Sequence, residues 1–189
     1  MPRPDGHVSH RIVWIDQIFA DSATNTDMTL DPIDLRILTC LQENGRISNQ
    51  DLADKVALSP SACLRRVRLL EEQGVIGGYR AWFDAERLGL EIEAIVQVSM
   101  RHDLEGWHDT FNAAVQAWPE VLTAYVITGD SNYILRVQAR NLKHYSDFIV
   151  NRLYRTPGVM DIRSNIVLQR IKTDGSPLAA LHADQGGKA

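Results

Sequence analysis

The chain has 189 residues, 44% of them hydrophobic, and a formal net charge of −4. That is enough apolar material for one or two modest domains with real cores. The acidic balance excludes a non-specific nucleic-acid coat, so any contact with nucleic acid has to come from a local basic patch on an acidic body.

Residues 1–27 lack sustained periodicity and end in the polar run Asp21 to Asp27. They read either as a flexible extension or as an upstream start that the cell does not use. The run Ile12-Val13-Trp14-Ile15 inside them is broken by Asp16 and is too short for a membrane span. Residues 28–83 are orderly. A first helix is predicted from Asp31-Pro32, a cap followed by proline, with Ile33, Ile37, Leu38 and Leu41 as its apolar stripe. Asn44-Gly45 ends it. Ser48 and Asp51 form a capping box for a second helix, whose Leu52, Ala53 and Val56 face inward. Ala57-Leu58 makes a tight turn, and Ser59-Pro60 caps a third helix running to Gln73-Gly74.

On a wheel of about 100° per residue, Cys63, Leu64, Val67 and Leu70 of the third helix fall on one arc, the expected core side. Ser61, Arg65 and Arg68 fall opposite, flanked by Ala62 and Arg66. Short residues at a helix start with arginines one turn later permit close approach to base edges and reach to phosphates. The free N–H groups of the helix start also favour a phosphate. Two short helices joined by a tight turn, with a basic face on the second, form a DNA-reading arrangement. Val75 to Phe83 reads as an extended segment with a glycine bend, a wing or strand closing the unit, where Arg80 is either a phosphate contact or a plain surface charge. Cys40 and Cys63 sit at apolar helix positions without metal-type spacing and read as buried reduced thiols, which fits a reducing cytoplasm.

Residues 84–91 read as a linker, and the period then changes. Ala94, Val96, Val98 and Met100 alternate with Glu93, Ile95, Gln97 and Ser99, a strand. A helix from Trp107 to Ala117 stops at Pro119, with Phe111, Ala114, Val115 and Trp118 on one side. Strands Val121 to Thr128 and Tyr133 to Ala139 are joined through Gly129-Asp130-Ser131-Asn132 as a hairpin. A helix from Leu142 to Tyr154 halts before Pro157-Gly158, and Val159 to Arg170 is a last strand. The order β-α-β-β-α-β over residues 92–171 is the ferredoxin-like split unit, making the chain α+β. Its sheet leaves one face open for a second copy, with Ile95, Leu122, Ala124 and Val126 as candidates, although the sequence does not fix which face is which. Residues 172–189 read as a flexible tail.

Three segments carry a family resemblance: LDPIDLRILTCLQENGRIS, LADKVALSPSACLRRVRLLEEQGVIGGY and TGDSNYILRV. Residues 30–171 resemble the Lrp/AsnC (feast/famine) transcription regulators of bacteria and archaea, and the helix-turn-helix part of the match is highly specific. The resemblance implies a winged helix-turn-helix that binds double-stranded DNA. It also implies a C-terminal domain, named for regulation of amino-acid metabolism (RAM), that forms dimers through its sheet and often octamers. Ser59, Ser61 and Arg65, with Pro60 and Ala62 at the same helix start, then look like recognition contacts. Arg66 and Arg68 look like backbone contacts or supports, and Arg46 sits where the family carries an arginine before the second helix. The family's small-molecule site lies near a Thr-Gly-Asp-x-Asp-Tyr turn, here Thr128-Gly129-Asp130-Ser131-Asn132-Tyr133. Asp130 suits an amino-acid ammonium, whereas Asn132 replaces the usual aspartate and removes one negative charge.

These readings point to a regulator controlled by an amino acid or related metabolite, a homo-oligomer with no cofactor, metal or membrane. The alternative of the same architecture resembles siroheme decarboxylases, which want histidines convergent in the C-terminal domain. His102, His108 and His144 show no such spacing. A third possibility is a ligand-sensing module with a vestigial DNA domain, against which the intact caps, turn and arginine face argue. No nucleophile elbow, P-loop, metal motif or dinucleotide fingerprint supports catalysis.

Overall fold

The computed structural model describes residues 30–101, 106–172, 175 and 177–179. The expected extension 1–27, most of the expected tail and His102 lie outside them. The chain divides into two units, with the boundary between Arg80 and Ala81.

The first unit holds α1 (Pro32–Glu43), α2 (Asn49–Val56) and α3 (Pro60–Glu72). Each start is set by its sequence. The Asp31 carboxylate accepts the N–H groups of Ile33 and Asp34 at 2.8 Å each, and Asp34 returns the bond to the Asp31 N–H at 3.2 Å, a complete capping box. Ser48 Oγ accepts the Asp51 N–H at 3.1 Å, and Ser59 Oγ accepts that of Ala62 at 3.3 Å. The turn between α2 and α3 places Ala57 in the left-handed region at φ 57°, a conformation that costs an alanine about 1–2 kcal/mol. Leu58 N–H closes it on the Ala53 carbonyl at 3.0 Å.

Leu35, Ile37, Leu38, Leu52, Ala53, Val56, Cys63 and Leu70 are buried. Two expectations need correction. Leu35 belongs to the α1 stripe, while Ile33 and Leu41 are only half-buried. Leu64, expected in the core, is exposed because its place on the wheel is at the edge of the packed arc. Residues 75–83, expected as a wing or strand, have no ladder partner among the described residues. Gly78 at φ 134° turns the segment, and Tyr79 Oη donates to Glu71 at 3.0 Å.

The second unit runs β1 (Ile92–Met100), α4 (Trp107–Ala117), β2 (Val121–Val126), β3 (Tyr133–Ala139), α5 (Leu142–Phe148) and β4 (Val159–Ile166). The sheet order is β2-β3-β1-β4, antiparallel throughout, the ferredoxin-like arrangement read from the sequence. Ala94, Val96, Val98 and Met100 are buried, as their alternation predicts, with Tyr133, Leu135, Val137 and Ala139 of β3. Phe111 and Val115 of α4, and Tyr145 and Phe148 of α5, complete this core.

The last helix does not run uniformly to Tyr154. After Phe148 it widens into a π turn, Ile149–Leu153, in which the Tyr154 N–H reaches the Ile149 carbonyl at 2.8 Å. Beside it Glu120, itself buried, accepts hydrogen bonds from Arg152 and from His144 Nε2, the latter at 3.1 Å. The His144 Nδ1 accepts the Arg140 N–H at 3.3 Å.

The expected open face also needs correction. Cross-strand partners share a face, and Ala124 stands opposite Leu135, Val126 opposite Tyr133. Both therefore lie on the face of those buried β3 residues, although they stay exposed at the sheet edge, and Leu122, also exposed, falls in the register irregularity between Val121 and Thr123. That irregularity breaks the alternation on which the sequence reading relied. Ile95 does stand on the other face, opposite Arg136, where Glu93 accepts from both Arg136 and Arg170.

Candidate nucleic-acid interface and effector turn

The α3 surface is a groove of about 580 Å³ lined by Ser61, Leu64, Arg65, Arg66, Arg68, Leu69 and Glu72. Ser61, Arg65 and Arg68 are exposed along its length. Arg65 and Arg68 make no ion pair among the described residues. Arg66 behaves differently. Its Nη1 lies 2.7 Å from Asp31 Oδ2 and 2.7 Å from Asp34 Oδ1, joining α3 to the capping box of α1. The Asp34 N–H bond, working against desolvation, holds the Asp31 carboxyl below its ordinary value, and Arg66 adds to this. Arg66 is thus drawn off the outward face that the sequence reading gave it as a flanking residue, because two carboxylates at the start of α1 compete for it.

Ser59 acts as a helix cap, and its Oγ is 3.3 Å from Ser61 Oγ. Pro60 occupies the first helical position and Ala62 the third, half-buried. Asn49, which sequence reasoning passed over, donates from Nδ2 to the Pro60 carbonyl at 2.9 Å and so fixes the start of α3 against α2. Its place at the first position of α2 was visible, but nothing in the spacing showed its partner. Arg46 is exposed in the turn before α2 and does not line the α3 groove; its N–H donates to Asn44 Oδ1 at 3.0 Å.

The turn between β2 and β3 divides into two halves. Thr128, Gly129 and Asp130 are exposed, and Gly129 sits at φ 121°, which favours glycine. Ser131, Asn132 and Tyr133 are buried. Asn132 is the anchor: its N–H donates to the Val98 carbonyl at 2.9 Å, and its Oδ1 accepts the Met100 N–H at 2.7 Å. A side-chain oxygen is what this position requires, and the amide supplies it without charge. Ser99 Oγ donates to the Asp130 carbonyl at 3.3 Å, tying the exposed half to β1 as well. Tyr133 sends its ring into the core, where its hydroxyl lies 2.5 Å from His108 Nδ1 and 3.2 Å from Asn112 Oδ1. Burial, reinforced by Asp109, pushes the Tyr133 phenol far above its ordinary value, so it stays protonated. Thr128, Gly129 and Asp130 are thus accessible, whereas Ser131, Asn132 and Tyr133 are buried. The His108 and Asn112 partnership gave no signal in the sequence.

The described histidines do not converge: His108 is held by Tyr133 and Asn112, and His144 by Glu120 and Arg140. No cluster of His, Cys, Asp and Glu suited to a metal occurs among the described residues.

Comparison with known proteins bears on both units. A winged helix-turn-helix DNA-binding model matches residues 30–76, and the Lrp/AsnC ligand binding domain matches residues 93–177. The leucine-responsive regulatory protein of Rhizobium meliloti is 40% identical over 143 residues, covering 76% of this chain and 92% of that one. Its namesake in Escherichia coli is 36% identical over 152 residues, covering 80% and 93%. Among solved structures, a transcriptional regulator from Neisseria meningitidis in complex with L-Met superposes with a TM-score of 0.77 at 40% identity, covering 81% of this chain and 99% of that one.

Proposed function

The chain belongs to the Lrp/AsnC family of DNA-binding transcriptional regulators with a ligand-binding domain, and on that premise we propose how its own residues bind DNA and effector. The observation that carries the proposal is the state of the α3 arginines. Arg65 and Arg68 project without acidic partners beside a helix start of short residues, whereas Arg66 is already neutralised by Asp31 and Asp34. In this reading α3 enters the major groove, Ser61 and Ala62 allow close approach, and Arg65 reaches a base edge. Arg68, the α3 start at Ser59-Pro60, and Arg46 hold phosphates. Arg66 contributes indirectly by fixing α3 on α1.

The effector is an amino acid held at the exposed Thr128-Gly129-Asp130 half of the turn, its ammonium on the Asp130 carboxylate. The Neisseria regulator solved with L-Met supports that ligand class. The chain works as a homo-oligomer, a dimer or larger assembly up to an octamer. Paired α3 helices then meet half-sites about one helical turn apart, or a multiple of it. Effector binding changes which assemblies are populated and so which sites are bridged. The protein is not an enzyme: its relatives are named as regulators, and His108 and His144 are engaged in separate structural bonds. No helix among the described residues is long and apolar enough to cross a membrane, and a DNA partner is consistent with the cytoplasm.

The test is to sequence fragmented genomic DNA retained by the purified protein, with and without a pool of amino acids. The expected result is enrichment of a few pseudo-palindromic sites, with a pattern that changes when amino acids are added. No enrichment in either condition would overturn the regulator reading. Enrichment indifferent to amino acids would overturn the effector assignment alone.

A further inference from the structure

The outward face of α3 carries apolar surface among its arginines. Leu64 is 39% exposed and Leu69 50% exposed, and both line the groove with Ser61, Arg65 and Arg68. Leu64 stands one turn after Ser61, next to Arg65, and one turn before Arg68. In helix-turn-helix units the N-terminal residues of the recognition helix reach the base edges, and Leu64 is the fifth residue of α3. Leu69 lies five residues further on, about 7.5 Å along the axis.

A solvated basic face gains nothing from a leucine, whose apolar surface costs free energy until something covers it. Along the DNA major groove the characteristic apolar group is the thymine C5-methyl, while arginine pairs with guanine O6 and N7. Leu64 precedes Arg65 by about 1.5 Å of rise and about 100° of rotation on α3, so with Arg65 on one base pair the leucine points at a different one. Resting on the DNA-binding reading above, we infer that Leu64 packs against a thymine methyl beside the base read by Arg65. Leu64 is then a specificity-determining residue, and the preferred half-site carries thymine next to that base. This gives the groove an apolar reader as well as a charged one, and it explains why the sequence-predicted core residue is the one left outside.

The experiment works without the natural target site. Duplexes are selected from random-sequence DNA by the full-length protein, and the tightest is resynthesised with each thymine in turn replaced by deoxyuridine, which removes only the methyl. Affinity is read by fluorescence anisotropy. The wild-type protein is expected to lose about fourfold at one or two positions, the worth of one buried carbon each. Leu64→Ala, its fold checked by thermal melting, is expected to bind thymine and uracil duplexes equally at those positions. Wild-type indifference at every position would overturn the inference and leave the DNA-binding reading standing. A thymine preference that survives Leu64→Ala, or that vanishes in Leu69→Ala instead, would overturn the assignment to Leu64. So would a Leu64→Ala protein with altered assembly size and an unchanged thymine preference, which places a second copy on this surface. Failure to select any duplex would overturn both readings together.

Discussion

The outward face of α3 and the turn between β2 and β3 both combine polar side chains with an abrupt change of chain direction, yet they use those side chains differently. Along α3 the cap, the proline and the Asn49 bond to Pro60 fix the backbone, so Ser61, Arg65 and Arg68 remain exposed. In the turn, the polar residues after Asp130 are themselves the fixing elements: Asn132 bonds β1, and Tyr133 bonds His108. The helix is a platform with projecting groups, whereas half of the turn is a fastening. The same contrast divides the arginines. Arg65 and Arg66 are adjacent and chemically identical, but only Arg66 meets carboxylates within its own unit. Residue type and spacing therefore mark a candidate site, while the partners inside the fold determine which members remain available to a ligand.

The largest expected effects come from breaking each plan at its centre. Arg65→Ala should lose about 1–3 kcal/mol of DNA affinity together with sequence preference, leaving thermal stability unchanged. Anisotropy titrations on selected and scrambled duplexes check this, and an unaltered preference would remove Arg65 from base reading. Asn132→Ala should cost about 1–3 kcal/mol of folding stability, because the buried Met100 N–H loses its acceptor. Asp130→Ala, two residues earlier and exposed, should stay within about 0.5 kcal/mol of wild type while abolishing the response to amino acid. Urea denaturation alongside a DNA-binding assay with and without amino acid separates the two. Equal destabilisation by both would mean that the turn does not divide as described.

Arg68 and Arg66, one projecting and one paired, give a smaller and finer test. Arg68→Ala should weaken binding to all sequences alike and reduce the salt slope by about one, the signature of one phosphate contact. Arg66→Ala should also weaken all sequences alike, but it should lower the melting temperature as well, since it releases α3 from Asp31 and Asp34. A salt slope reduced in Arg66→Ala with the melting temperature unchanged would return Arg66 to the DNA.

Much of this architecture was legible in the sequence because its signals are local. Asp31-Pro32, Ser48 with Asp51, and Ser59-Pro60 each announce a helix start through bonds spanning three residues or fewer. The alternation from Ala94 to Met100 fixes a buried face in the same way. What stayed hidden depends on pairs distant in the chain. The Arg66 bond to Asp31 spans 35 residues, the Asn132 bond to Met100 spans 32, and the Tyr133 bond to His108 spans 25. No periodicity reports such partners. The irregularity in β2 was hidden for a related reason, since its register is set by β3 and not by its own residues, and it moved Ala124 and Val126 to the other face. The π turn at Ile149–Leu153, in which Leu153 is buried and Arg152 reaches Glu120, also has no counterpart in the helical pattern.

The smallest expected effect tests the opposite end of the comparison, a charge whose partners are all internal. Burial pushes the Glu120 carboxyl upward, but the hydrogen bonds from Arg152, its own backbone N–H and His144 outweigh this, so its value lies below the ordinary 4.5. A carboxyl with a lowered value in the folded state adds stability that is fully present above 4.5 and fades as pH falls through the folded value. Because Arg152 remains partly exposed to solvent, the contribution is modest, about 1 kcal/mol. Glu120→Gln keeps the shape and removes the charge, so it should be less stable than wild type by about that amount near pH 7. The gap should close in strong acid, where the wild-type carboxyl is neutral too. Urea denaturation of both proteins across the acid range measures this directly. A gap that persists unchanged into acid would show that the glutamate acts through its shape and hydrogen bonds and not through its charge, and the distinction between paired and projecting charges would then rest on α3 alone.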